Sequence, residues 1–295
     1  MLTGTYHESN SIFYRGHFAS FGALWSNKLR TFLTMVGVAT GIFAITSILT
    51  MTYSMQYSVT ANLSALGNTT MFVHNWPWKD NSEDWFKFFN RPKVSYKDYE
   101  VLHKNLKEVV GVAYNASIMG QSVKTEGRSL TGVAVQAVTE DYGKIGEWNF
   151  AEGRYFSDWE IGAGSPVCVL GYNLGQSLFP NQKSIIGKWV RVSGRKLKVI
   201  GIRSKQGSGM FGPTPDDQLF IPYLLATKEF DLSRRSVDKV ITLKAVNYEK
   251  VDYVESEAIG LIRAARGLKP SIENNFSINK QEMLMKQIDG FFGYM

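Results

Sequence analysis

The sequence predicts an α+β protein in which one long apolar helix near the amino terminus is followed by a two-lobed mixed α/β domain. Three observations carry this expectation. No Asp, Glu, Lys or Arg occurs between Thr31 and Trp78. From about Asn68 onward, short β-branched runs alternate with stretches of helical periodicity, as in an ordinary water-soluble domain. That pattern changes near Tyr142 and resumes near Pro222, which suggests a smaller β-rich lobe (about 142–221) inserted in a first lobe (about 67–141 and 222–285).

Phe32–Leu49 is almost continuously apolar, and this character persists to about Tyr53. That is the ~20 residues a helix needs to cross a hydrocarbon core ~30 Å thick. Nine residues of Phe32–Leu49 are Leu, Ile, Phe or Val, which together favour insertion by roughly 4 kcal/mol. A membrane-spanning helix over about 32–53, in contact with the lipid bilayer, is therefore expected. A signal peptide has a shorter apolar region nearer the amino terminus, although Val59-Thr60-Ala61 has the small residues of a cleavage site. A buried core helix would normally show a polar face, and none is evident here.

Arg15, Lys28 and Arg30 precede the span, with only Glu8 against them, so the positive-inside rule puts the amino terminus in the cytoplasm and the main domain outside. Within the cytoplasmic segment, residues 1–30, Phe18, Phe21, Leu24 and Trp25 fall near helical spacing and read as an interfacial helix. Gly37 and Gly41, with Ala44 on nearly the same face, form a small-residue stripe that lets another helix approach closely. Met51, Met55, Val59 and Leu63 continue a four-residue apolar spacing beyond the expected membrane boundary. A helix over 31–66 would be ~50 Å long, so the span is expected to run on as a stalk.

Beyond the stalk, TTMFVHNW reads as a strand. Trp76, Trp78, Trp85 and Phe86 follow in a segment that either packs its rings on the domain or contacts a partner. Ser95 and Asp98 make a capping box for a helix reaching about Leu106. Strands follow around a turn at Glu126-Gly127. In the second lobe come the strand PVCVLG, a short helix after Gly171, and two strands turning at Ser193-Gly194. VDKVITLKAV is the next strand. In the helix after it, Val251, Val254, Ala258, Leu261, Ile262 and Ala265 form the apolar face. FSI is the last strand, and Asn279 to Glu282 reads as the cap of a helix whose apolar face, Leu284, Ile288, Phe291 and Met295, meets the end of the chain.

Charge and chemistry narrow the function classes. The net charge is +7, but Lys and Arg are spread over the whole length, which argues for a solvated surface and against nucleic acid. Cys168 is the single cysteine, so no intramolecular disulfide forms, and its β-branched surroundings mark it as a core residue. Gly207–Gly212, GSGMFG, matches G-x-G-x-x-G after a strand, but Pro213, Pro215, Asp216 and Asp217 follow where a phosphate-binding helix should begin. Gly207, Gly209, Met210, Phe211 and Gly212 are better read as a flexible glycine loop. Ile186-Gly187-Lys188 lacks the earlier glycine and the Ser or Thr of a P-loop. The four histidines, His7, His17, His74 and His103, have no metal-ligand spacing, and no nucleophile-and-base arrangement is evident. The reading is of a non-enzyme without cofactor or metal.

Eight stretches occur in an order that resembles one family. They are LWSNKLRTFLTMVGVATGIFAITSIL with LGNTTMFVHN, then AEGRYFSDWE, SPVCVLGYNLGQSLF, IIGKWVRVSGRKLKVIGI, the GSGMFG loop, DDQLFIPYLLA, and NFSINKQEMLMKQIDGFFGYM. Together they cover essentially the whole chain and resemble the amino-terminal part of MacB-type ABC transporter permeases, a group that includes FtsX-like and LolC-like members.

The resemblance implies a two-lobed periplasmic core domain held between the first and second membrane helices of a bacterial inner-membrane protein. It also implies dimerisation with itself or a paralogous permease, work with a cytoplasmic ABC ATPase, a periplasmic adaptor protein as a further partner, and mechanical transmission across the membrane for efflux or export. The same resemblance implies that the glycine loop is a candidate partner surface. The family has four membrane helices, whereas this chain reaches Met295 where the second begins, at about 286. On this reading it is a truncated permease that does not couple to ATP as it stands. The rival reading is a single-span membrane protein with an outer domain that senses or binds a ligand.

Overall fold

The computed structural model describes residues 27–64, 69–78, 85–146, 148–180, 182–207, 214–280 and 283. The chain separates into two compact units, Met1–Tyr57 and Ser58–Met295. The expected interfacial helix and the start of the second span lie outside the described residues.

The first helix, α1, runs unbroken over Lys28–Ser64, 37 residues, or about 55 Å. Several of its threonine hydroxyls bond back to its own carbonyls. Thr40, Thr46 and Thr50 each donate to the carbonyl four residues earlier, at 2.7, 2.8 and 2.7 Å, which removes the main polar cost of placing threonine in lipid. Its apolar side chains stand uncovered, Phe43 at 74% exposure and Ile42 at 61%. Lys28–Met55 is long and apolar enough to cross a membrane.

The second unit is built on one mixed sheet. Its strands are β1 (Thr70–His74), β2 (Val109–Lys124), β3 (Ser129–Val138), β4 (Phe150–Gly153), β5 (Val167–Leu170), β6 (Trp189–Val192), β7 (Arg195–Arg203), β8 (Gln218–Pro222), β9 (Asp238–Ala245) and β10 (Ser277–Lys280). The order is β10-β1-β9-β2-β3-β8-β5-β7-β4, with β6 bridging β2 and β7. Only β3–β8 and β5–β7 pair in parallel; the remaining described pairs are antiparallel. Strands from 142–221 thus join the same sheet as those of the first lobe, through β3–β8 and β2–β6.

Among the described residues, seven α-helices decorate it: α2 (Trp85–Phe89), α3 (Tyr96–Asn105), α4 (Tyr142–Ile145), α5 (Asp158–Ala163), α6 (Tyr172–Leu178), α7 (Tyr223–Glu229) and α8 (Val251–Ala265). Both faces of the central strands are covered. Leu219 and Ile221 of β8 enter the main core with Met71, Leu170 and Leu243, while Phe220 points to a smaller cluster with Val138, Val169 and Ile200. Burial on both sides explains why β5 and β8 read as apolar runs without alternation. Cys168 sits in β5, fully buried, and burial pushes its thiol up.

Local signals place several elements. Ser95 and Asp98 form the capping box of α3, and Ser157 with Glu160 forms a second one at α5. Ser193 and Gly194 both take positive φ, 47° and 94°, as a two-residue hairpin turn requires. On α8, Val251, Val254, Ala258 and Ile262 are buried. A buried ion pair ties α8 to α3: Arg266 Nη2 lies 2.7 Å from Asp98 Oδ2, with both side chains largely covered.

One expectation is corrected. Asn279 is not a helix cap but a residue of β10, which runs on to Lys280. Pairing with β1 from Met71↔Lys280 to His74↔Ser277 holds the segment extended, and its side chain has another use, described next.

Candidate functional site

Three surfaces expected from the sequence have distinct fates. On α1, Gly37 and Gly41 have nothing within 4 Å of where a Cβ would stand, and the stripe with Ala44 lies open along the exposed helix. Such a stripe allows the backbone of another helix to approach closely.

The aromatic segment is split. Trp76 and Trp78 fold onto the domain, held by Asn279. Its Oδ1 accepts from the Trp78 N–H at 2.9 Å, and its Nδ2 donates to the Trp76 carbonyl at 2.9 Å. Buried to 1% exposure, Asn279 supplies the pairing that a further strand would otherwise give. The ring of Trp78 packs 5.1 Å from Phe72, and that of Trp76 lies 5.8 Å from Phe88 of α2. Arg91 covers Phe88 at 4.4 Å. The His74 ring meets Asp238 at 2.9 Å, and its Nδ1 accepts from the Trp76 N–H. On α2 the outward groups are Phe86 and Phe89, 53% and 61% exposed. Trp85 opens the same helix. Phe89 was not among the residues singled out from the sequence, and its five-residue helix is too short for periodicity to reveal it.

The glycine loop is described only at its neck, since residues 208–213, including Gly209, Met210, Phe211 and Gly212, lie outside the described residues. Asp216, 1% exposed, accepts from the Gln206 N–H at 3.0 and 3.1 Å and from the Gly207 N–H at 3.0 Å. Gly207 takes φ +88°, in the left-handed region that favours glycine. On the far side, Pro215–Asp217 forms a single 3₁₀ turn. That turn lies against Gly171, where a Cβ would stand 2.3 Å from the Pro215 carbonyl oxygen. The aspartate following the glycines is thus a clamp on the loop's base, a role that only the folded contact reveals.

Beside the neck, at the end of β7, Arg203 is buried with its guanidinium 4.4 Å from the Trp148 ring centre and 5.5 Å from that of Phe220. Burial lowers its pKa, against the opposing influence of Tyr142, Asp216 and Tyr155. Stacking on two aromatic faces offsets part of the cost of burying the charge.

Two clefts lie among the described residues. One, of about 300 Å³, is lined by Tyr96, Tyr99, His103, Glu140 and Tyr223 among others. Tyr96 and Tyr223 stack at 4.7 Å, and burial, followed by the charge of Tyr96, pushes the Tyr223 hydroxyl up to about 12. The other, of about 760 Å³, lies between the β2–β3 and β6–β7 hairpins and the end of α6. Among the described residues, no group of three or more His, Cys, Asp or Glu side chains comes together as a metal site would need.

These features can be set beside known proteins. The family model for the MacB-like periplasmic core domain matches residues 31–261. The chain belongs to this family. Among curated relatives, the macrolide export ATP-binding/permease protein MacB of Escherichia coli (strain K12) is 27% identical over 202 residues, 68% of this chain and 30% of that protein. MacB of Salmonella paratyphi A is 27% identical over 248 residues, 84% of this chain and 37% of that protein. The chain therefore spans about a third of the length of these relatives. Among solved structures, the periplasmic region of MacB from Actinobacillus actinomycetemcomitans superposes with a TM-score of 0.61 at 20% identity, covering 77% of this chain and 96% of that one. The extracellular domain of the noncanonic ABC-type transporter YknZ from Gram-positive bacteria gives 0.53 at 14% identity, covering 71% and 98%. The fold is that of a MacB-like periplasmic domain, preceded here by an apolar helix of membrane-spanning length.

Proposed function

We propose that this chain is the amino-terminal part of an ABC transporter permease, anchored by α1 with its amino terminus in the cytoplasm and its sheet domain outside. In this reading a cytoplasmic ATPase partner hydrolyses ATP, and the movement reaches the outer domain through the membrane helices, driving efflux or export. The observation that carries it is the family match over 31–261, which takes in α1 as well as the domain. A helix unbroken from Lys28 to Ser64 is the kind of rigid element that passes a displacement from one side of a membrane to the other.

The small-residue stripe at Gly37, Gly41 and Ala44 suits packing against another membrane helix, from a second copy, a paralogous permease or a later span. Phe86 and Phe89, with the loop clamped by Asp216, offer surfaces for a periplasmic adaptor protein. Residues 142–221 are proposed as the lobe that moves. Export of macrolides is what the MacB relatives are named for, and it is the first substrate class to try.

The decisive experiment is affinity purification of the product of the intact reading frame from membranes. Recovery of an ABC ATPase in stoichiometric amount is expected. Its absence, together with a stop codon after Met295 in the intact gene, would favour the single-span ligand-sensing protein instead.

A further inference from the structure

We infer that the larger cleft is a binding site for a multivalent oxyanion, of phosphate or sulfonate type, whose apolar body lies on Trp189. The inference does not depend on the export reading, because it rests on the chemistry of one sheet face. In the β2–β6 register Lys124 stands opposite Arg191. In the β6–β7 register Arg191 stands opposite Lys196. Residues directly opposite in antiparallel strands share a face, with Cβ atoms about 4.5–5.5 Å apart, and like charges so placed repel. Three cations therefore form a rung across three strands, all exposed.

Alternation leaves no doubt which way they face: Val123, Val190, Val192 and Leu197, at intervening positions, are in the core. Among the described residues, no carboxylate lies within ion-pair distance of Lys124, Arg191 or Lys196. Arg128 and Lys188 also line the cleft, and Glu126 is the one carboxylate among its lining residues. Those two are tethered, Arg128 to the Ser177 carbonyl at 3.1 Å and Lys188 to Gln182.

Elsewhere in this domain some cations with exposed heads find acids, as Arg195 does with Glu229 and Arg154 with Glu160. The rung does not, and it sits in a concavity of the size that small-molecule sites occupy. One row along the same face, Trp189, 54% exposed, stands opposite Lys198. An aromatic surface beside cations suits a ligand that joins anionic groups to a flat or ring-shaped body.

The test uses the whole chain in a neutral detergent with two probes: tripolyphosphate, by calorimetry, and 8-methoxypyrene-1,3,6-trisulfonate, by fluorescence anisotropy. Both should bind saturably at low salt, compete with each other, and weaken steeply as salt rises. Arg191→Gln should weaken both by about tenfold and raise the melting temperature of the ligand-free protein, since it removes the middle of a repulsive row. Trp189→Ala should weaken the pyrene probe at least fivefold while leaving tripolyphosphate within twofold. Should Arg191→Gln fail to fold, Lys196→Gln makes the same comparison. The assignment fails if neither probe saturates below millimolar concentration. It also fails if the charge-removing variants bind as well as the parent, or if a poly-glutamate peptide binds much more tightly than tripolyphosphate, which would make the face an acidic-protein dock.

Discussion

The helix α1 and the sheet domain solve the same problem in opposite ways. In the domain, apolar side chains cover one another and buried carboxylates find partners within the chain, as Asp98 finds Arg266 and Asp216 finds two amides. Along α1, several threonine hydroxyls are satisfied internally while Ile42, Phe43 and Ile45 are 61%, 74% and 62% exposed. In water that surface would favour aggregation. On the proposed membrane reading, the domain is stable by what it contains and the helix by what surrounds it. A substitution in one should be read as a folding defect, and in the other as a partitioning defect.

The largest test of that contrast is in the domain. Asp98→Asn leaves Arg266 buried without its carboxylate, and breaking a buried pair in this way costs about 3–5 kcal/mol. Thermal or urea unfolding should show the loss, and membrane association should not change. Acid reaches the same pair. Burial alone would raise the Asp98 carboxyl, but the hydrogen bonds and charge of Arg266 and the bonds from Ser95 hold it below the usual range. Glu160 is held down to about 2, chiefly by Arg154. Carboxyls depressed in the folded state stabilise it fully above their unfolded values near pH 4, and that contribution fades as the pH falls toward the folded values. Urea midpoints should thus be flat from pH 7 to about 5 and fall below 4, and Asp98→Asn should flatten part of that fall.

Next in size, Ile42→Arg places a charge near the centre of the span and should cost about 3 kcal/mol of insertion free energy. Alkaline carbonate extraction should release the variant, while the sheet domain keeps its melting temperature. Retention in the membrane at parent levels would mean that neighbouring helices, and not lipid alone, set the environment of α1.

A smaller effect is expected at the loop neck. Asp216→Ala leaves the Gln206 and Gly207 amides without an acceptor, a loss of about 1–3 kcal/mol. Hydrogen exchange at those two amides should accelerate more than in the sheet core. The smallest effect is Thr46→Val, which removes one internally bonded hydroxyl and should improve membrane insertion by less than about 1 kcal/mol. A result of that sign would show that the hydroxyls are tolerated in the span without being required by it.

The sequence made the long helix, the Ser95 capping box and the Ser193-Gly194 turn readable because each is decided by residues close together in the chain. Periodicity likewise exposed the buried face of α8. What it did not disclose depends on contacts between distant segments. Asn279 looks like a helix cap until β10 is laid against β1 and its amide meets Trp76 and Trp78 about two hundred residues away. Asp216 looks like a solvated loop acid until Gly171 admits its turn to the core. The cationic rung is invisible for the same reason, since Lys124, Arg191 and Lys196 come together only through register. The α5 box formed by Ser157 and Glu160 is local and could have been found, but its six-residue helix is too short to stand out.

Register at one edge of the sheet has a further result. Met71, at the start of β1, is opposite Lys280, at the end of β10. The start of the first strand and the end of the last described strand therefore lie one strand spacing, about 4.8 Å, apart, where any tethers on the two ends would attach. Tension that draws both tethers the same way does not shear these two strands past each other. It is handed inward to β9 through the β1 ladder, whereas tension that separates the tethers peels β10 away first, pair by pair from Lys280.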